Sequence, residues 1–231
     1  MSLLKTFAAA AALLALGATQ AQTITGEDIK KDYDNPVYSA SFSVLASGAL
    51  GLKEQNKIVG VGVQSGTAGE IDIGEFITLT FATAKPIASF TLGLLFNGPE
   101  YNDVLEVAKI TINGDMNKTY TLTSGAADNT ATWRNESTLA SVSVAYIFGA
   151  GTVGGLGGAI TVGNPFGNDL VTSITFEALR GDCGSLGGAC TNQSDYNVVN
   201  VTPVPEPETY ALMLAGLAAV AFVARRRRPL A

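Results

Sequence analysis

Short runs in which apolar and polar residues alternate with a period of two recur along most of this 231-residue chain. Successive strand side chains point to opposite faces, so such a run buries one face and wets the other only as a β-strand. The rhythm predicts strands at residues 38–44 (YSASFSV), 75–81 (EFITLTF), 89–96 (SFTLGLLF), 107–112, 119–123, 141–148, 171–176 and 196–201, with a ninth at 58–63. Gly, Asn, Asp and Pro punctuate the runs, and no stretch between the two ends carries a helical period. About nine short strands at this spacing predict an all-β fold, a single β-sandwich of jelly-roll type. Asn113-Gly114 marks a hairpin, because a tight turn there needs two residues at positive φ. Residues 149–167 hold many glycines and one brief apolar run at 159–162, which reads as a loop or an edge hairpin.

The two ends obey different rules. Residues 1–21 place Lys5 before an apolar run from Phe7 to Leu16, then small residues Thr19 and Ala21. That is a secretory leader with cleavage expected between Ala21 and Gln22. At the other end Pro203, Pro205 and Pro207 disfavour regular structure. An apolar run of 15 residues follows, from Tyr210 to Ala224, and then Arg225, Arg226, Arg227 and Arg228. As a helix the run rises about 22 Å, short of the roughly 30 Å hydrocarbon core, although Tyr210 and the arginines extend its reach. Arginines prefer the cytoplasmic side, which leaves the rest of the chain outside. Three segments result: a leader at 1–21, a β-sandwich ectodomain at 22–202, and a tail at 203–231.

The tail resembles the PEP-CTERM sorting signal. The resemblance rests on Val204, Pro205, Glu206 and Pro207, the short apolar helix, and the arginine cluster, in that order at the chain end. It implies a substrate of exosortase, a membrane protease that removes the tail near Pro-Glu-Pro. The implied partners are exosortase and the cytoplasmic membrane, which holds the tail as a transient anchor. The implied destination is the cell surface or extracellular matrix. Nothing in the motif bears on the fold of the ectodomain.

Composition narrows what that ectodomain does. The net charge of −6 hides five basic residues in the leader and tail. Between the ends, nine basic residues face eighteen acidic ones. An acidic body repels phosphate backbones, so no nucleic-acid partner is expected. There is no histidine, which excludes Ser-His-Asp and Cys-His catalysis and His-ligated zinc. The lone pair Cys183 and Cys190, in an exported chain, is expected to form a disulfide across a Gly-rich loop.

Candidate sites are few. Asn97, Glu100, Asn102, Asp103 and Glu106 offer oxygen ligands for calcium or sugar hydroxyls, or else form a solvated loop. Asn113, Asp115 and Asn117 offer calcium ligands or simply a turn. Glu70, Asp72 and Glu75 alternate with Ile71 and Ile73 and read as the polar face of a strand. Trp133 is the sole tryptophan, a sugar platform or a core residue. Gly149, Gly151 and Gly154 match a dinucleotide fingerprint but lack the helix it needs. The chain is therefore expected to be a non-catalytic envelope or matrix protein associated with exopolysaccharide or biofilm, with no cofactor other than a possible calcium. The alternatives are a carbohydrate- or calcium-binding module, and a secreted glycoside hydrolase working through carboxylates alone.

Overall fold

The computed structural model describes residues 22–55, 57–96, 105–125, 130–148, 158–182, 194–205, 215–218 and 220. The chain divides into a body, Thr23–Thr202, and a second unit formed by Met1–Gln22 and Pro203–Ala231.

The body opens with β1 (Ile24–Thr25) and α1 (Gly26–Asp34). Then follow β2 (Phe42–Ala46), β3 (Leu50–Gln55), β4 (Ile58–Val63), β5 (Phe76–Lys85) and β6 (Ile87–Leu95). The rest are β7 (Leu105–Ile112), β8 (Thr119–Ser124), β9 (Thr130–Asn135), β10 (Ser141–Phe148), β11 (Gly158–Gly163), β12 (Val171–Asp182) and β13 (Asn197–Pro203). One sheet runs β3-β4-β13-β6-β11-β10, with β1 added against β13; the other runs β10-β9-β8-β7-β12-β5-β2. Strand β10 belongs to both. Residues Ser141 to Ala145 pair with β9, Tyr146 and Phe148 pair with β11, and the register shifts between those two. A strand that shifts register while changing sheet is a common way to turn the corner of a sandwich.

Alternation decides which faces meet. Ile77, Leu79 and Phe81 of β5, Ile174 and Phe176 of β12, and Ile110 and Ile112 of β7 are buried on one side of the second sheet. They face Phe90, Leu92, Val198 and Val201 of the first. Phe90 touches rings across the gap, with centroids 5.3 Å from Trp133 and 6.0 Å from Phe176. Trp133 also stacks on Tyr120 at 5.1 Å, and its indole N–H donates to the Pro165 carbonyl at 3.1 Å. The tryptophan is thus a core residue with its one donor satisfied.

All-β architecture in two antiparallel sheets agrees with the sequence pattern, but the details differ. Thirteen strands are present among the described residues where nine were expected. The run at 159–162 is β11, an interior strand between β10 and β6 rather than an edge. Residues 70–75 are no regular strand: Glu70, Ile71 and Ile73 each make one isolated bridge. Ile71 is buried, but Glu70 is 2% exposed and Ile73 43%, so the expected polar face is broken at those two positions. Helix α1 was not anticipated. Thr25 caps it, accepting from the Asp28 N–H at 3.2 Å while the Asp28 carboxylate accepts from the Thr25 N–H at 3.0 Å. This reciprocal pair satisfies two of the otherwise orphaned donors of the first turn.

In the second unit Ala215 to Ala218 and Val220 are helical. No helix among the described residues is long and apolar enough to cross a membrane. The leader residues 1–21 lie outside the described residues.

Candidate functional site

Two places in the chain carry features that packing alone does not require: a carboxylate cluster on the body, and the segment beginning where β13 ends.

The cluster is built by the turn segment between β4 and β5 and by the residues that lead into β13. Val63 N–H donates to the Glu70 carbonyl at 2.7 Å, Gly69 N–H to the Val63 carbonyl at 2.8 Å, and Ile71 N–H to the Tyr196 carbonyl at 2.6 Å. This pins residues 63–71 against Tyr196 and brings Asp195 beside Glu70 and Asp72. Glycine is required at Gly66, where φ is +58° and a Cβ would fall 1.9 Å from the Asp72 carboxylate. Asp72 accepts from the Thr67 N–H at 2.6 Å. Glu75 accepts from the Asp72 N–H at 2.9 Å and from the Ser65 hydroxyl. Buried Glu70 pairs with Lys53 of β3 at 2.7 Å. Asp195 accepts from the Thr67 hydroxyl at 3.3 Å.

Desolvation dominates at Asp195, reinforced by the charges of Glu70 and Asp72. Together they push its carboxyl up to about 8, against the opposing pull of Lys53 and the Thr67 hydroxyl. Asp195 therefore carries a proton at neutral pH. Chemically the cluster stores one proton. Its other carboxylates are engaged in fastening the 64–75 turn.

The residues singled out in the sequence fall in different places. Asn113 fastens two elements: its carbonyl oxygen accepts from the Thr172 N–H at 2.7 Å and hydroxyl at 3.0 Å, and its amide donates to the Leu170 carbonyl at 3.0 Å. Asn113 and Gly114 both take positive φ, as the turn signal requires. Asp115 accepts from the Asn117 N–H at 2.9 Å and side-chain amide at 3.1 Å. These oxygens serve the hairpin. Glu106 is buried and turned inward, its carboxylate accepting from the Phe96 N–H at 2.5 Å. Asn97, Glu100, Asn102 and Asp103 lie outside the described residues. So do Gly149, Gly151, Gly154, Cys183, Cys190, Ala21, Glu206, Pro207 and Arg225 to Arg228. Gln22 and Val204 are exposed, and Pro205 is half-buried.

One small cavity of about 10 Å³ lies between Gln55, Ile58, Gly93, Leu94, Gly158 and Asn197. The side-chain amide oxygen of Asn197 is buried there and has no hydrogen-bond partner among the described residues. The space suits about one water and no sugar ring. Sequence reasoning missed Asp195 altogether, since nothing local distinguishes it.

The other feature is the tail. β13 ends at Pro203, and the sorting residues follow at once. A family model described as the PEP-CTERM protein-sorting motif matches residues 203–228. The match agrees in position with the Pro-Glu-Pro, apolar and arginine order read from the sequence. It implies export, a surface or extracellular address, and processing by exosortase. No curated protein matches the chain, and no solved structure does.

Proposed function

We propose that this chain, whose residues 203–228 carry the PEP-CTERM protein-sorting motif, is an exported, exosortase-processed component of the cell surface or extracellular matrix with a non-catalytic β-sandwich body. The observation that carries the reading is where the motif sits. It begins at the residue on which the last described strand ends, so cutting it away leaves every described residue of the hydrophobic core in place. In this reading the leader is cleaved before Gln22, the 210–224 run holds the tail in the cytoplasmic membrane, and Arg225 to Arg228 stop it at the inner face. The disulfide between Cys183 and Cys190 belongs to the same exported state. The carboxylate cluster supports a structural role, because Glu70, Asp72 and Glu75 engage Lys53, Thr67 and Ser65.

Mass spectrometry of the mature C-terminus tests the processing. Cells with an exosortase are expected to yield a protein ending between Val204 and Tyr210, and cells without it the full tail. A fully exported protein that still ends at or beyond Arg228 in exosortase-positive cells overturns the reading.

A carbohydrate-binding role for the body is favoured by one observation. The outer face of the second sheet is an array of hydroxyls. Thr78, Thr175, Thr111 and Thr119 are in register across four strands; Thr78 and Thr175 are half-exposed with hydroxyls 2.9 Å apart, while Thr111 and Thr119 are buried. Ser43–Thr80–Ser173 and Thr123–Thr132–Ser143 form neighbouring rows. The exposed and half-exposed hydroxyls of these rows share the face with the Lys109–Glu177 ion pair, and together they suit exopolysaccharide hydroxyls. Co-sedimentation with an insoluble neutral polysaccharide tests this. Binding that is lost in Thr80→Lys and Thr132→Lys supports it, and no sedimentation removes it.

A further inference from the structure

Val61 and Val63 of β4 are buried in the core, so Gly60 and Gly62, which alternate with them, turn to the other face of the sheet. On that face the side-chain amide of Asn197, from β13, lies over Gly60. A Cβ there would fall 2.1 Å from the amide oxygen, 2.2 Å from its carbon and 2.5 Å from its nitrogen. Gly93 of β6 clears the other side, where a Cβ would fall 2.5 Å from the same oxygen. Two glycines thus let the amide sink into the sheet, and Asn197 is 2% exposed. Its Nδ2 donates to the Lys53 carbonyl at 3.5 Å, a long bond. Its Oδ1 has no partner among the described residues. A buried amide held this poorly is costly to keep.

Lys53 of β3 is the residue opposite Gly60. Directly opposed residues share a face, so the lysine stem starts beside the amide. Its Nζ ends 2.7 Å from the carboxylate of buried Glu70, whose backbone packs over Gly62. Asp195, two residues before Asn197, feels the charges of both Glu70 and Lys53 and is the protonated carboxyl described above. A primary amine, a carboxamide and a carboxylate in contact with the amine are therefore gathered at one place.

We propose that the side chains of Lys53 and Asn197 become joined by an amide bond, with Glu70 as the base that starts the reaction. Glu70 takes a proton from the Lys53 ammonium, and the freed lone pair on Nζ attacks Cγ of Asn197. The Nζ–Cγ bond forms and the Cγ–Nδ2 bond breaks. Nζ gives up two protons in all. One leaves with Nδ2 as ammonia, and the other passes from Glu70 to solvent. No oxidant, reductant or co-substrate is consumed. The fold supplies what this step needs, because it holds nucleophile and amide side by side and covers them with the 64–75 turn. The bond ties β3 to β13 across 144 positions of chain and holds β4 between them. Unlike a disulfide it survives reduction. The proposal does not depend on the sorting tail.

Intact mass and peptide mapping of the purified, reduced protein test it. The expected mass is one ammonia below that calculated from the sequence and the observed termini. Trypsin is expected to leave Lys53 uncut and to release one branched peptide containing both Lys53 and Asn197. Lys53→Arg keeps a positive charge opposite Glu70 but removes the amine, and Glu70→Gln removes the base. Both are expected to show the full calculated mass and no branched peptide. Wild-type protein of full calculated mass overturns the proposal, and that measurement decides by itself where a variant fails to fold. Ammonia lost within a single peptide, as at Asn113-Gly114 or from an N-terminal Gln22, without a branched peptide also overturns it. So does a branched peptide that persists in Lys53→Arg.

Discussion

Asp195 shows how a single residue records its surroundings. In the unfolded chain its carboxyl titrates near 3.9, and in the folded body near 8. Between those values the folded state holds a proton that the unfolded chain has released, so this residue makes stability fall as pH rises from about 4 to about 8. Above 8 the loss is complete. Asp195→Asn removes the ionisation and is expected to raise stability at pH 9 by about 1–3 kcal/mol, with no gain at pH 4. Urea unfolding at the two pH values measures it, and an equal effect at both contradicts the account. Asp28 works in the other direction. Partial burial opposes its charge, but the Thr25 hydroxyl and N–H, the Tyr38 hydroxyl and Lys31 hold its carboxyl below the usual range. Its contribution is present above the unfolded value and is lost as pH falls through the lower folded value. Thr25→Ala breaks the capping pair and is expected to cost about 1 kcal/mol in denaturant unfolding at pH 7, and progressively less as pH falls through the lowered folded value of Asp28.

At the scale of elements, what the sequence showed depended on whether one face alone is buried. β5, β8 and β12 alternate cleanly because Thr78, Thr80, Thr121 and Thr175 face outward between buried Ile77, Leu79, Tyr120, Leu122 and Ile174. β3 escaped notice because Leu50 and Gly51 are both buried and Leu52 is exposed, which inverts the rhythm. β9 has the alternation, in Thr130-Ala-Thr-Trp-Arg-Asn, but its few apolar residues are a small alanine and one tryptophan. The period of α1 was masked because one of its buried residues is Asp32, and because nine residues allow only two and a half turns. The tail was legible because its meaning lies in local order. The carboxylate cluster was not, since Asp195 joins Glu70 across 125 positions of chain and only the fold brings them together. Asn113 was legible as a turn residue, yet not as the residue that ties the β7–β8 turn to the start of β12. Asn113→Ala leaves the Thr172 N–H without that acceptor. It is expected to cost about 1–3 kcal/mol, and hydrogen exchange is expected to speed up at Thr172 before it does at Ile174.

At the scale of the whole molecule, the proposed processing requires a body that survives the loss of its tail. All of the core among the described residues lies between Ile24 and Val201, and these two residues pair with each other across β1 and β13. A chain ending at Pro205 keeps that pairing, the Thr23–Thr202 contact and the buried Val201. It is therefore expected to melt within about 2 °C of the tail-bearing protein, since a change of 1 kcal/mol would move a body of this size by about 2–4 °C. A chain ending six residues earlier, at Val199, differs sharply. It removes the fully buried Val201 and both partners of β1, and with them the support that holds Gly26 and α1 against β4. The loss of one large buried aliphatic side chain costs about 2–5 kcal/mol, and the freed helix adds to it, so a fall of at least about 8 °C is expected. Calorimetry of the two truncations beside the precursor decides it. Equal melting of all three would mean that β13 contributes nothing past Val199. A large drop already at Pro205 would mean that the tail helps to hold the body together, which a segment discarded on arrival should not do.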